Sequence, residues 1–258
     1  MQDNKVITSA TEFADDELVP KSYVANMIET NLKQLPSYVT VENGDVNETY
    51  GIIIYNGRAW FDRNLGATKV AESWDDQDEA AWGELHQWGK NRGPYAKRNS
   101  PVSNYCVDFQ NRNVVADSFH KATTNGSNWI SSKNNSCKYS YNETAWWQTS
   151  NQWDDPANRT GDHNICPKGW HVASIDDFKS LNLENAEDGF NKIKLLGVGG
   201  MRDRNGNITD TSVGRYWTST ISGEIRYPMA LVLSEDRAGF GIQQRVSGLS
   251  IRCVKNLY

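Results

Sequence analysis

Apolar and polar positions alternate in several short segments of the chain, and this alternation predicts β-strands. The two clearest segments, residues 49–55 and 58–61, flank Asn56-Gly57, a dipeptide typical of a two-residue hairpin turn. Asn205-Gly206 gives a second turn signal. Further strands are predicted at residues 193–199, 215–219, 229–234, 240–244 and 250–254.

After residue 37, helical patterns occur in two stretches of the chain. Residues 75–89 predict one helix, and residues 174–183 predict another that opens with Ser174 and Asp177 in capping-box spacing. Between them, residues 93–161 are rich in Asn, Ser and Trp and weakly periodic, which predicts long loops. Short antiparallel strands, two helices and long loops together predict an α+β fold.

The N-terminal segment, residues 1–37, differs from the rest because it contains no Trp and no Cys. It carries a coiled-coil-like seam with one polar position, formed by Val24, Ile28, Asn31 and Leu35. A helix of about 25 Å is marginal in isolation. We therefore expect an N-terminal helical stalk that self-associates or docks onto a partner. A helix packed on its own domain and a frayed tail are the alternatives, and residues 38–258 are expected to form one domain.

Composition narrows the classes of partner. The chain has 27 Lys and Arg against 32 Asp and Glu, a net charge of -5, without a basic run, so no nucleic-acid partner is expected. No apolar stretch reaches the roughly 18 residues of a membrane helix, so no membrane insertion is expected. The N-terminus lacks the basic and apolar regions of a signal peptide, which predicts synthesis in a cytoplasm.

The four cysteines and four histidines do not have the spacing of a zinc site, and we expect neither a metal nor a cofactor. The cysteines are Cys106, Cys137, Cys166 and Cys253. Two alternatives stay open for them. One is buried free thiols, as in proteins made in a reducing compartment, and the other is a disulfide between Cys166 and Cys253.

Catalytic motifs are missing from the sequence, so we expect no enzyme. No nucleophile elbow, zinc-protease motif or glycine-rich phosphate loop occurs. The carboxylate pairs Asp75-Asp76 and Asp154-Asp155 are typical of solvated turns. Residues 203–207 have a superficial similarity to a calcium loop, but Gly206 stands at the fourth position and no bidentate Glu follows, which favours a hairpin turn.

Six phrases of the sequence, taken in order, resemble the Fibrobacter succinogenes major paralogous domain, a C-type-lectin-like module of bacterial surface and phage proteins. The phrases occupy residues 59–67, 82–90, 164–172, 200–203, 216–220 and 250–255. The resemblance covers about residues 49–258. It implies a C-type-lectin-like domain whose chain ends pair in one sheet.

The same resemblance implies roles for individual residues. Cys166 and Cys253 would lie close together, Arg63 and Asn64 would satisfy buried backbone groups, and three aromatic residues would lie in the core, namely Trp60, Trp170 and Trp217.

Residues 15–24 resemble a second phrase, which phage fibre proteins often carry beside a trimeric segment. Together the two resemblances imply a bacteriophage virion fibre, on the tail or the head. Its N-terminal segment would attach to other virion proteins and form a homo-oligomer, with a trimer as the usual state. The alternatives are a purely structural capsid or tail decoration and an adhesin on a bacterial cell surface.

Since the sequence predicts neither catalysis nor metal binding, we expect the protein to act by binding a ligand with its surface side chains. Trp and Tyr stack on sugar faces and anchor protein contacts, and polar neighbours supply hydrogen bonds. The expected ligand is a glycan or protein on the host cell surface. The candidate ligand-binding residues are Trp146, Trp147, Trp153, Tyr216, Arg226, Tyr227 and Arg237.

Overall fold

The computed structural model of the protein describes residues 26–27, 30, 35–43, 46–104, 117–121, 165–222 and 227–257. The strands there are β1 (Tyr38–Asn43), β2 (Val46–Tyr55), β3 (Arg58–Phe61), β4 (His86–Gln87), β5 (Val102–Ser103), β6 (Phe119–His120), β7 (His171–Val172), β8 (Met201–Arg202), β9 (Ile208–Thr209), β10 (Gly214–Ile221), β11 (Pro228–Leu233), β12 (Ala238–Ile242), β13 (Gly248–Leu249) and β14 (Cys253–Asn256). The helices are α1 (Glu79–Trp82), α2 (Ile175–Lys179) and α3 (Ala186–Ile193). A 3-10 helix spans Pro94–Ala96.

One sheet joins the beginning and the end of the described region. Its strand order is β1-β2-β3-β14-β7, and all pairings are antiparallel. Asn56 and Gly57 form the turn between β2 and β3 with φ angles of 46° and 71°, the positive values that a type I′ turn requires. Val254 of β14 pairs with Trp60 of β3, so the two ends of this region share a sheet.

Besides the parallel pair of β5 and β6, two further sheets are formed mainly by C-terminal strands. One has the order β10-β11-β12 and the other the order β4-β13-β8-β9. Trp217 of β10 links them, because its backbone N–H donates to Ser250 O at 3.0 Å and its indole N–H donates to His86 O at 2.6 Å. Among the described strands, β12 lies at the edge of its sheet, since β11 is its partner in the sheet order.

The three tryptophans expected in the core are buried. Trp60 and Trp217 have no exposed surface, and Trp170 is 4% exposed. Trp170 and Trp217 belong to one apolar cluster, and Trp60 belongs to a second cluster with Phe178 and Tyr216. Each buried aromatic side chain removes roughly 150–250 Å² from water, so these clusters are a main source of stability.

Arg63 and Asn64 satisfy backbone groups in the turn after β3. The Arg63 Nε donates to Ala67 O at 3.0 Å. Asn64 is 2% exposed, and its Nδ2 donates to Trp82 O at 3.1 Å. The roles that the sequence resemblance implied for these two residues are therefore present.

Arg252 is the largest fully buried charged side chain among the described residues and has no exposed surface. Its Nη1 donates to Phe61 O and Ile193 O, each at 2.7 Å. Its Nη2 donates to Asn64 Oδ1 at 2.8 Å and to Lys194 O at 2.9 Å. One guanidinium thus fastens the end of β3, the following turn and the end of α3.

The predicted helix over residues 75–89 is wrong except for one turn, α1. The Asp76 carboxylate accepts hydrogen bonds from the N–H groups of Glu72 and Asp78, each at 3.0 Å, and so folds the preceding residues into turns. Gly83, with a φ of 73°, ends the helix. A Cβ at Gly83 would lie 2.7 Å from Leu65 O, so the chain needs glycine at this approach.

The predicted strand at residues 193–199 is also wrong. Helix α3 runs to Ile193, and Lys194 caps it in the left-handed conformation with a φ of 57°. The capping box of α2 is confirmed. Ser174 Oγ accepts from Asp177 N at 3.1 Å, and Asp177 Oδ2 accepts from Ser174 N at 2.8 Å.

The predicted fold class, an α+β C-type-lectin-like domain after a helical stalk, is wrong. Strands form 35% of the described residues and helices 14%, so the fold is β-rich and mainly antiparallel, and no lectin fold is confirmed. The described helices α1, α2 and α3 span only 4, 5 and 8 residues. The reason is that strand pairing and side-chain turns override weak helical patterns in this chain.

No helical stalk is evident in the residues that the structure describes. Asn26, Met27 and Thr30 are helical, and the residues that immediately flank Asn26-Met27 and Thr30 in the sequence are not among the described residues. Leu35, the described seam residue, packs against the apolar cluster around Trp170 and Trp217. The other three seam residues lie outside the described residues, namely Val24, Ile28 and Asn31.

Cys166 and Cys253 form a disulfide with a Cα–Cα distance of 5.8 Å and a sequence separation of 87 residues. Both residues are buried, at 4% and 0% exposure. The bond fastens β14 to the segment before β7. Cys106 and Cys137 lie outside the described residues.

Candidate functional site

The predicted ligand-binding residues lie in different environments in the structure. Tyr216 is 1% exposed, and its hydroxyl both donates to Leu196 O at 3.0 Å and accepts from Leu196 N at 2.7 Å. It is therefore a core residue, and its burial leaves no surface for the predicted ligand contact. Arg237 is exposed in the turn between β11 and β12. Four of the candidates lie outside the described residues, namely Trp146, Trp147, Trp153 and Arg226.

Tyr227 lines a pocket of about 460 Å³, which we call the Tyr227 pocket. Three segments form it: the chain from β8 into the loop before β9, the residue before β11, and the chain from the end of β12 towards β13. The lining residues combine apolar, amide and charged side chains, namely Met201, Asp203, Arg204, Tyr227, Ile242, Gln243, Gln244 and Ser247.

The loop between β8 and β9 forms a rigid wall of this pocket. Asp203 Oδ1 accepts from the N–H groups of Asn205 and Asn207, each at 2.8 Å. The backbone closes the same turn, since Asp203 N donates to Asn207 O at 2.8 Å and Gly206 N donates to Asp203 O at 3.0 Å. This carboxylate therefore organises the hairpin turn, in agreement with the turn predicted from the sequence.

Arg202 fastens this loop to the body of the protein. It is 3% exposed, and its Nε donates to Gly206 O at 3.0 Å. Its Nη2 donates to Ser100 O at 2.9 Å, and its guanidinium carbon lies 4.4 Å from the ring centroid of Phe119. Burial lowers the pKa of Arg202, and the nearby Asp203 carboxylate opposes this effect. Arg202 thus positions the wall without lining the pocket.

Main-chain and side-chain hydrogen bonds hold the other two segments of the pocket. Tyr227 N donates to Ser222 Oγ at 3.0 Å, and Ser222 N donates to Tyr227 O at 2.8 Å. Gln243 N donates to Pro228 O at 2.9 Å, and the Gln243 Nε2 donates to Ser247 Oγ at 3.1 Å. These bonds fix the backbone that carries the Tyr227 ring and the two glutamines.

An apolar surface on β12 adjoins the pocket. Ile242, which lines the pocket, is 52% exposed, and Phe240 on the same face of the strand is 36% exposed. The other face of β12 carries Gly239 and Gly241, where an added Cβ would meet no atom within 4 Å. This edge strand therefore offers apolar side chains on one face and open backbone on the other.

Two buried ionic networks lie outside the Tyr227 pocket. In the first, Arg92 pairs with Glu48 at 2.8 Å and with Glu84 at 2.9 Å, and Glu84 lies 3.4 Å from His86. Burial would raise the pKa of Glu84, but His86 and Arg92 outweigh this effect and lower it to about 2. Burial also lowers the pKa of His86 itself.

The second network contains a serine, a histidine and an aspartate but does not have the arrangement of a nucleophilic triad. Ser174 Oγ donates to Asp177 Oδ2 at 2.7 Å, so the hydroxyl faces the carboxylate. His171 Nε2 lies 3.1 Å from the same oxygen, and Arg58 pairs with Oδ1 at 2.8 Å. Burial would raise the pKa of Asp177, but the bonds from His171 and Ser174 hold it well below its usual range.

A second pocket, of about 650 Å³, lies between β1 and the segment around the disulfide. It is lined by Val39, Thr40, Val41, Glu42, Asn91, Arg92, Ile165, Cys166, Pro167 and Lys168. Four of its lining residues belong to β1, and none of its lining residues is aromatic. This second pocket therefore lacks the stacking surface that the Tyr227 pocket has.

Sequence reasoning found one of the residues that line the Tyr227 pocket and missed the others. Tyr227 was singled out for its aromatic ring, and the turn at 203–207 was identified as structural. The signal that could have pointed to the rest is the alternation in residues 239–242, where glycines separate Phe240 and Ile242. What the sequence does not show is that this strand lies beside Met201.

Among the described residues, no group of His, Cys, Asp and Glu has an arrangement that could hold a metal ion. No helix in the described part of the chain is long and apolar enough to cross a membrane. Comparison of the chain with protein-family models, with curated proteins and with solved structures gave no match.

Proposed function

We propose that the chain is a non-enzymatic fibre protein of a bacteriophage virion, on the tail or the head. Its residues 38–258 bind a glycan or a protein on the surface of the host cell. Its residues 1–37 attach it to other virion proteins and bring copies of the chain together, with three as the expected number. The sequence phrases at residues 15–24 and 59–67 support the fibre assignment.

The observation that carries the binding proposal is the surface formed by the Tyr227 pocket and β12. Contiguous exposed apolar patches on a protein surface mark interaction sites, whereas single exposed apolar residues are common. Here Phe240 and Ile242 stand together on one edge strand, next to a pocket that already contains an aromatic ring. Arg204 and Gln244 at the same place add hydrogen-bonding groups, and this mixture is typical of recognition surfaces.

Cell binding by the full chain tests the proposal. Fluorescently labelled protein is added to bacteria on which the virion grows and to adsorption-resistant mutants of the same strain. We expect binding to the susceptible cells alone, and we expect an excess of the chain to slow phage adsorption. Ile242→Asn should weaken cell binding at least tenfold. Ile54→Asn is the matched control, because Ile54 is 41% exposed on β2 in another sheet.

Equal binding to both cell types, with unchanged adsorption in the presence of excess chain, contradicts receptor binding. In that case, virions that lack the chain distinguish the remaining roles. Normal adsorption with reduced particle stability would identify a structural decoration of the capsid or tail.

A further inference from the structure

We infer that the Tyr227 pocket binds one pyranose unit of an uncharged saccharide, with the sugar stacked on the Tyr227 ring and hydrogen-bonded to Gln244. This inference rests on the proposed function, which leaves open whether the receptor is a glycan or a protein. Size is the first argument. A volume of about 460 Å³ falls in the range of roughly 300–1,000 Å³ that is typical of small-molecule sites.

The lining of the pocket matches the two-sided chemistry of a sugar. A pyranose presents C–H groups on its faces and hydroxyl groups around its edge. The Tyr227 ring supplies an apolar face with a negative quadrupole, to which polarised C–H groups are attracted, and Ile242 and Met201 extend the apolar surface. Gln243 and Gln244 supply amides, whose adjacent donor and acceptor suit neighbouring hydroxyls.

The charges around the pocket favour an uncharged ligand. Asp203 and Arg204 are the charged residues in its lining, and their formal charges cancel. The Asp203 carboxylate is already engaged by the N–H groups of Asn205 and Asn207. A phosphate or an acidic sugar would therefore meet no net electrostatic attraction in the pocket. A neutral saccharide does not depend on such an attraction.

Gln244 is the polar group best suited to the ligand. Its backbone is fixed, because Gln244 O accepts from Ser247 N at 3.0 Å. Its side-chain amide, in contrast, has no hydrogen-bond partner among the described residues, and Gln244 is only half-buried. The amide can therefore bind a hydroxyl pair without breaking a bond within the protein, which keeps the cost of binding low.

The pocket is also organised before the ligand arrives. Arg202 and Asp203 hold one wall, and the bonds between Tyr227 and Ser222 hold the other. A site whose walls are fixed loses little conformational entropy on binding. Single sugars bind weakly to such sites, so a virion would gain its affinity from several copies of the chain engaging one surface.

Saturation-transfer NMR on the full chain tests the inference. The probes are the methyl pyranosides of glucose, galactose, mannose, rhamnose, N-acetylglucosamine and N-acetylgalactosamine, each at millimolar concentration. We expect transfer to at least one of them, mainly to the protons on one face of the ring. Tyr227→Ala should weaken this binding about tenfold or more, and Tyr227→Phe, which keeps the ring, by no more than about threefold.

Two further variants keep the test independent of folding defects. Gln244→Leu changes a half-buried side chain outside the apolar core and should weaken binding about tenfold. Tyr38→Ala is the matched control, because Tyr38 is 58% exposed on β1 in another sheet, and it should bind as the wild type does. Near-ultraviolet circular dichroism verifies that each variant is folded.

The inference is overturned if none of the six pyranosides receives saturation from the wild-type protein. It is also overturned if binding is the same in Tyr227→Ala and Gln244→Leu as in the wild type. Should the chain still bind susceptible cells and lose that binding in Ile242→Asn, the receptor contact is not one of these neutral pyranoses and the proposed function stands. Pyranoside binding without cell binding would instead support the pocket and contradict the role as a receptor-binding fibre.

Discussion

Replacing Arg252 with methionine tests how the core is held together. Methionine has a similar length and no charge, so Arg252→Met removes the guanidinium while filling most of its space. In the structure this guanidinium donates four hydrogen bonds, three to backbone carbonyl oxygens and one to the side chain of Asn64. All four acceptors are uncharged oxygens, and Arg252 itself has no exposed surface.

The expected loss of stability follows from two opposing contributions. Hydrogen bonds from a charged donor contribute roughly 1.5–3 kcal/mol each, so the four bonds amount to about 6–12 kcal/mol. Burial of the guanidinium costs several kcal/mol, and this cost disappears in the variant. We therefore expect Arg252→Met to lower the free energy of unfolding by about 3–5 kcal/mol, a large part of the roughly 5–15 kcal/mol of a typical domain.

This change is measured by unfolding the disulfide-bonded protein in urea, with tryptophan fluorescence as the signal. Arg237→Met is the matched control, because Arg237 is exposed in a turn and its removal should change stability by no more than about 0.5 kcal/mol. If Arg252→Met does not fold, Asn64→Ala removes one of the four bonds together with the bond from Asn64 Nδ2 to Trp82 O, and it should cost about 2–4 kcal/mol. A value for Arg252→Met within 1 kcal/mol of the wild type, at an unchanged urea dependence, would refute the reasoning.

Three other predictions follow from the same structure. Replacing both Cys166 and Cys253 with serine opens a closed loop of 87 residues and should lower the free energy of unfolding by roughly 2–4 kcal/mol, as measured in urea. The pKa of Glu84 is lowered from 4.5 to about 2, so its ionisation stabilises the fold above pH 4.5, and this stability is lost as pH falls towards 2. Between pH 7 and pH 3, Glu84→Gln should therefore lose about 2 kcal/mol less than the wild type in urea titrations, and equal losses would contradict this account. Gly214→Ala would place a Cβ 2.0 Å from a backbone oxygen and should lower the melting temperature by several degrees, whereas Gly239→Ala, where the space is open, should leave it unchanged or raise it.

Local features were predictable from the sequence where the chemistry acts over a few residues. The Asn56-Gly57 turn and the capping box at Ser174 depend on backbone angles and side chains within one turn, and both are present. The predicted helix over residues 75–89 failed for a reason of the same kind. The Asp76 carboxylate binds nearby N–H groups, and this competition with helix formation is not visible in the pattern of apolar positions.

Features that join distant segments were harder to predict. Arg252 binds oxygen atoms from residues 61 and 193–194, and no local pattern marks an arginine as buried. The same is true of Tyr216, whose position in an aromatic segment favoured a surface role although the side chain lies in the core. The Tyr227 pocket joins residues more than 40 positions apart, so its composition could be read only once the strands were paired.

The residues that build the Tyr227 pocket and the residues that would contact a ligand are different side chains. Arg202 and Asp203 hold the wall through buried or intraloop hydrogen bonds, and the backbone of residues 243–247 is fixed by its own bonds. Arg204, Ile242 and Gln244 extend from this framework and are partly or largely exposed. Substitutions at these three positions should therefore alter ligand binding at nearly constant stability, whereas Arg202→Met should reduce both. A surface of this kind can change its ligand without loss of the fold, which is the property that a receptor-binding protein requires when its host varies.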